Sequence, residues 1–165
     1  MKNYLSIILL VLVSIPVQSN EFTEMLELAE QGDALAQNTL ATMYVNGEGI
    51  TENDVEAVKW YVKSADQGYA RAQNNLGMMH DYGKGVPEND AEAVKWYRKS
   101  ADQGYARAQF NLGNLYGNGK GVRKSHRTAA MWMEKSAKQG HIDAQNQLGV
   151  MYHQGMFYIK SANTA

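Results

Sequence analysis

The chain has 165 residues, 44% of them hydrophobic and 20% charged, with a formal net charge of −1, the profile of one soluble globular domain. No long run of one sign occurs, which argues against nucleic acid as the main partner, since phosphate binding needs a basic face. The absence of cysteine excludes disulfides, thiolate metal sites, a cysteine nucleophile and lipid attachment through cysteine.

Residues 1–19 read as a secretory signal. Lys2 gives the positive start, Leu5 to Val13 form a short apolar run, and Val17-Gln18-Ser19 offers compact residues at the cleavage site. The run is short of the ~20 residues of a membrane span. The expected mature chain therefore starts at Asn20, is periplasmic or secreted, and has no stable membrane insertion.

From there one unit repeats. Gln-Gly recurs at Gln31-Gly32, Gln67-Gly68, Gln103-Gly104 and Gln139-Gly140, a step of 36 residues each time. Ala-Gln follows at Ala36-Gln37, Ala72-Gln73, Ala108-Gln109 and Ala144-Gln145, and Leu40, Leu76, Leu112 and Leu148 keep the same register. So do Trp60, Trp96 and Trp132, and the pairs Lys63-Ser64, Lys99-Ser100 and Lys135-Ser136. Self-similarity at this period is the mark of a stacked repeat architecture.

Residues 20–31 predict a lone helix B, with Phe22, Met25, Leu26 and Ala29 at helical spacing between glutamates. Three helix pairs follow over 29–64, 65–100 and 101–136, then a partial repeat over 137–155 that supplies a last helix A. Residues 156–165 depart from the pattern. In the second unit helix A runs from about Tyr69 to Tyr82, and the glycines of Gly83-Lys84-Gly85 end it. Asn89 or Asp90 caps helix B, with Glu92 in capping-box spacing; Asn53 with Glu56, and Ser125, do the same in the other units. The expectation is eight helices in an all-α, α/α superhelical solenoid of 36-residue helix-pair repeats, its lone end helices covering the open ends.

The pattern Ala-x-Gln-Gly-x-Ala-x-Ala-Gln-x-x-Leu-Gly-x-x-Tyr, then Gly-x-Gly-Val, then Ala-x-x-Trp-Tyr-x-Lys-Ser-Ala resembles the Sel-1-like repeat family, a relative of the tetratricopeptide repeats. Ala65 to Ser100 carries nearly all of it, with His80 at the tyrosine position, and the likeness covers about Ala29 to Gly155. The resemblance implies a superhelix with a scaffold or adaptor role, in which helix A lines a concave groove.

Helical phase divides helix A at about 100° per residue. Ala36, Gln37, Leu40, Met43 and Tyr44 stay alike between units and form a packing arc, flanked in later units by Gly77, Gly113 and Gly149. A mid-helix glycine costs about 1 kcal/mol, so three in register suggest a closely approaching neighbour. The positions that differ form the other arc. In the central units it reads Arg71, Asn74, Asn75, Met78 and Tyr82, then Arg107, Phe110, Asn111 and Asn114. By the resemblance these nine are the candidate partner-binding residues: asparagines suit a peptide backbone, and Arg71 and Arg107 could receive carboxylates, making the partner a protein or peptide of acidic character. The bland alternative is a polar solvated face, each arginine pairing locally with Asp66 or Asp102.

Other features read as structure. Trp60-Tyr61 and Trp96-Tyr97 keep fixed register on helix B, which points to core packing rather than sugar stacking. Met78, Met79, Met131, Met133 and Met151 read as adaptable packing. Lys120, Arg123, Lys124, His126 and Arg127 form a basic cluster, either a solvated loop or an electrostatic contact. No two of the four histidines have zinc-helix spacing, and no nucleophile elbow occurs, so no catalytic residue, metal or cofactor is expected. The expected function is a non-catalytic exported interaction scaffold. The alternative is an envelope hydrolase or β-lactam or cell-wall-binding protein, as the cysteine-rich relatives of the family suggest; the lack of cysteine weighs against it. Oligomeric state is left open by the sequence.

Overall fold

A computed structural model describes residues 17–155. Most of the expected signal, residues 1–16, and the divergent tail, 156–165, lie outside the described residues. The chain forms eight helices: α1 (Val17–Glu30), α2 (Ala34–Asn46), α3 (Asp54–Asp66), α4 (Ala70–Tyr82), α5 (Asp90–Asp102), α6 (Ala106–Asn118), α7 (His126–Lys138) and α8 (Ile142–His153). α2, α4, α6 and α8 are the A helices; α1, α3, α5 and α7 are the B helices. α1 begins at Val17, three residues before the expected mature start at Asn20.

Each helix packs chiefly on its neighbours in sequence, as in a quasi-one-dimensional stack. Leu40, Leu76 and Leu112 are almost wholly buried, as are Ala57, Ala93 and Ala129 on the facing B helices. Small residues on one helix and leucine on the other let the axes come close. Asn53, Asn89 and Ser125 cap the B helices, each side-chain oxygen accepting from the backbone N–H three residues on. Of the capping boxes only this half forms; Glu56 and Glu92 turn instead to Lys59 and Lys95.

The loop glycines have two separate reasons to be glycine. Gly83 and Gly119 end α4 and α6 at φ +63° and +77°, and each amide donates back to Met79 or Leu115. Gly85 and Gly121 lie against the preceding unit, where a Cβ would run into the carbonyls of Asp54 and Asp90. The loops thus stack on the starts of α3 and α5.

The in-helix glycines divide differently. A Cβ on Gly77 would stand 2.7 Å from the Tyr97 ring, and one on Gly113 would stand 2.8 Å from Met133. These two fit the expected close approach. Gly149 does not: no described atom lies within 4 Å of its Cβ position, because no described helix follows α8.

Trp60 and Trp132 are buried, and Trp96, although only partly buried, also packs against the core, so the indoles pack as expected but Trp96 less completely than the other two. A lysine from the next turn covers each indole: Lys63, Lys99 and Lys135 lie 3.6, 3.9 and 4.2 Å from the ring centroids. Met79, Met133 and Met151 pack as expected, whereas Met131 is 45% exposed.

Candidate groove along the A helices

The polar residues of the repeat signature are used up inside the stack. Gln67, Gln103 and Gln139 each donate to the glutamine thirty residues earlier, Gln37, Gln73 and Gln109, at 2.7–2.8 Å. Those glutamines in turn donate to the carbonyls of Ala29, Ala65 and Ala101. Ser64, Ser100 and Ser136 donate to the first carbonyl of the partner A helix, at Ala34, Ala70 and Ala106. Buried amides left without such partners would cost about 1–3 kcal/mol each, so these residues recur for the sake of the stack.

A second ladder was not anticipated. Asn75 donates to Asn38 at 3.1 Å, and Asn111 donates to Asn74 at 3.0 Å, joining α2 to α4 and α4 to α6. Asn38 and Asn74 are 3% and 0% exposed. Asn74 was expected on the binding face; that expectation is corrected, because its amide is spent on Asn111, Asn75 and the Met78 sulfur. The rungs link residues 37 apart, a position of one unit with the next position of the following unit. A comparison of equivalent positions does not show them. The ladder stops at Phe110, which takes the place of Asn38 and Asn74 and stacks on the His141 ring at 4.9 Å.

Two hollows open beside this ladder. The first, about 270 Å³, is walled by Val45, Tyr61, Met78, Met79 and Tyr82, with Asn75 and Lys84 supplying its polar groups. The second, about 180 Å³, lies between Met78 and Tyr82 of α4, Arg107, Phe110 and Asn111 of α6, and His141 and Asp143 at the start of α8. Met78 and Tyr82 belong to both, so the hollows form one groove. Tyr82 is 65% exposed.

The nine expected residues divide accordingly. Asn75, Met78, Tyr82, Arg107, Phe110 and Asn111 line the groove. Arg71 is exposed but lines neither hollow. Asn114 lines a third hollow of about 190 Å³ with Lys124, His126 and Gln147, apart from the other two. Sequence reasoning missed Tyr61, Val45, Lys84 and His141. Tyr61 sits on a B helix, and His141 caps α8, its Nδ1 accepting from Ala144; a phase analysis confined to A helices passes over both.

The charges near the groove are unevenly used. Burial pushes the Tyr61 hydroxyl above its ordinary value, against the lowering effect of its bonds to Thr42 and Asn75. The ion pairs among the described residues use Lys59, Lys95 and Lys120. Arg71, Arg107 and Lys84 therefore have no carboxylate partner among those residues, and the expected alternative of pairing with Asp66 or Asp102 does not occur. Lys120, the first residue of the basic cluster, reaches Asp81 and Asp90, each at 3.3 Å, and Glu88 at 3.8 Å. Its hydrogen bond to Asp81 and then its ion pair with Asp90 hold its ammonium above the usual lysine value. It ties one loop to the unit before it rather than standing free in solvent.

Among the described residues no three His, Asp or Glu side chains are grouped to hold a metal ion, and no helix is long and apolar enough to cross a membrane. Helix pairs joined by rungs every 36 residues define an α-helical repeat solenoid. The Sel1 repeat matches residues 34–69, 70–105, 106–141 and 142–165, so the chain belongs to the Sel1 repeat family, whose members are in general protein-interaction scaffolds. The match starts each unit at helix A, five residues later than units counted from Ala29.

Solved structures agree. A protective antigen of uropathogenic Escherichia coli strains, displaying an SLR fold, is 42% identical with a TM-score of 0.78, over 79% of this chain and 28% of that one. A Sel1 repeat protein from Oxalobacter formigenes is 37% identical with a TM-score of 0.79, over 84% of this chain and 55% of that one. This chain thus spans about a quarter and about half of those chains. Helicobacter pylori cysteine rich protein B, 21% identical with a TM-score of 0.66, covers 79% of this chain and 96% of its own, and shares the fold. No match was found among curated proteins.

Proposed function

We propose that this chain is a non-catalytic interaction module that binds a protein or peptide segment in the groove between α4 and α6, and that it works after export to the periplasm or beyond. One observation carries the binding reading. The repeated glutamines and serines and the asparagine ladder are engaged in holding helices together, whereas Met78, Tyr82, Arg107 and Phe110 leave a continuous groove edged by an exposed tyrosine and an arginine with no ion pair among the described residues. Tyrosine and arginine are the side chains that most often anchor protein interfaces. The export reading rests on the signal-like residues 1–19, and N-terminal sequencing of exported protein tests it, with Asn20 as the expected first residue.

Selection of a phage-displayed random peptide library on the purified chain tests the binding site. Enriched peptides should lose binding at least tenfold to Tyr82→Ala with Arg107→Ala. They should bind Lys95→Ala, altered on the exposed face of α5, as they bind the parent. Peptides that ignore the groove variant and lose binding to Lys95→Ala would place the site on the B helices.

A further inference from the structure

The two hollows differ in chemistry, and the difference describes the ligand. The first is walled by aliphatic, thioether and aromatic carbon, and the backbone amides of its helices are bonded within them. At about 270 Å³ it has room for a single bulky side chain. The second hollow contains Arg107, whose guanidinium has no ion pair among the described residues. Asp143 borders the same hollow without coming within ion-pair distance of it. Around the whole groove, Lys84 and Arg107 stand against one carboxylate, Asp143, on a chain whose overall charge is −1. The groove is thus locally cationic on a slightly acidic protein, and its complement is an acidic segment.

Met78 and Tyr82 form the wall between the hollows, so one extended chain can fill both. Side chains two apart on an extended strand point the same way, about 7 Å from each other. That spacing suits neighbouring hollows on adjacent helices, whose axes lie about 8–10 Å apart. Accepting the groove as the binding site, we infer that its ligand is an extended peptide segment with a large apolar residue in the Tyr61–Met79 hollow and a carboxylate two residues on, received by Arg107. Arg71 has the same repeat position as Arg107 but lines neither hollow, so it contributes nothing to this recognition. It is the internal control that repeat symmetry supplies.

The test is a double-mutant cycle with labelled synthetic peptides on the full chain. The parent peptide is Gly-Ser-Phe-Ser-Asp-Ser-Gly; one variant has Asn for Asp and another Ser for Phe. The Asn peptide should bind about fivefold more weakly than the parent, and the difference should shrink at high salt. It should vanish on Arg107→Ala and persist on Arg71→Ala. The Ser-for-Phe peptide should bind weakly to all three proteins. Equal binding of the Asp and Asn peptides overturns the inference, as does a preference abolished by Arg71→Ala or no binding at all. The groove reading fails separately, when peptides of any sequence bind the Tyr82→Ala, Arg107→Ala double variant as tightly as the parent.

Discussion

Gly77, Gly113 and Gly149 occupy one repeat position, and alanine substitutions there should have opposite signs. In a helix interior, glycine to alanine gains about 0.5–1 kcal/mol from backbone entropy and propensity. At Gly149 nothing described opposes that gain, so Gly149→Ala should stabilise by that amount. At Gly77 the new methyl would stand 2.7 and 2.8 Å from two carbons of the Tyr97 ring. Tyr97 is 1% exposed and has no room to withdraw. Overpacking of this kind costs about 1–3 kcal/mol, so Gly77→Ala should show a net loss of about 1–2 kcal/mol. Gly113 falls between: the Met133 side chain can move, but the Ala129 carbonyl at 3.1 Å cannot, and the net loss should stay below about 1 kcal/mol. Urea unfolding followed by both circular dichroism and tryptophan fluorescence measures the three values, provided the two signals coincide and the slope is unchanged. Equal effects at all three positions would refute the claim that the following B helix dictates glycine.

Burial separates the tryptophans: Trp132→Ala should cost about 3–5 kcal/mol, and Trp96→Ala, at a half-buried site, clearly less, by the same unfolding measurement. Breaking the asparagine ladder with Asn74→Leu should destabilise by more than 1 kcal/mol by orphaning the Asn111 amide, while Asn114→Leu should be near neutral. Lys120→Met should lower stability by no more than about 1 kcal/mol, since the ammonium is largely exposed, and the loss should shrink with added salt. Tyr61 and Tyr97 have hydroxyls raised above the ordinary value of 10.0, mainly by burial. Their neutral forms favour the fold, so this stability is fully present below about pH 10 and is lost as pH rises toward the folded values. Absorbance titration should show these two phenols ionising only as the chain unfolds.

Much of the fold was legible because one signal repeats. The 36-residue step, the caps Asn53, Asn89 and Ser125, and the glycines after each A helix give the number and order of the helices, and the expected helix from about Tyr69 to Tyr82 is α4 at Ala70–Tyr82; the start of α1 at Val17 lies three residues early. The groove was legible only in part. Helical phase separates Leu40 from Tyr82, but it places Asn74 with Asn75 although one packs on α6 and the other on α2. Contacts between units depend on the tilt of successive helices, and a single helix's period does not contain it. His80 shows the same limit. Tyr116 and Tyr152 reach Arg98 and Glu134 on the preceding B helices; Val62 holds that position below His80, whose buried Nδ1 has no hydrogen-bond partner among the described residues.

Photo-crosslinking locates a bound ligand without assuming which residues contribute energy. A benzophenone side chain placed at Tyr82, and in a second protein at Lys95, would be irradiated with a library-selected peptide. Strong crosslinking from position 82, weak crosslinking from position 95, and loss of the former on adding unlabelled peptide are the results this account predicts. Efficient, competable crosslinking from position 95 with none from position 82 would contradict it.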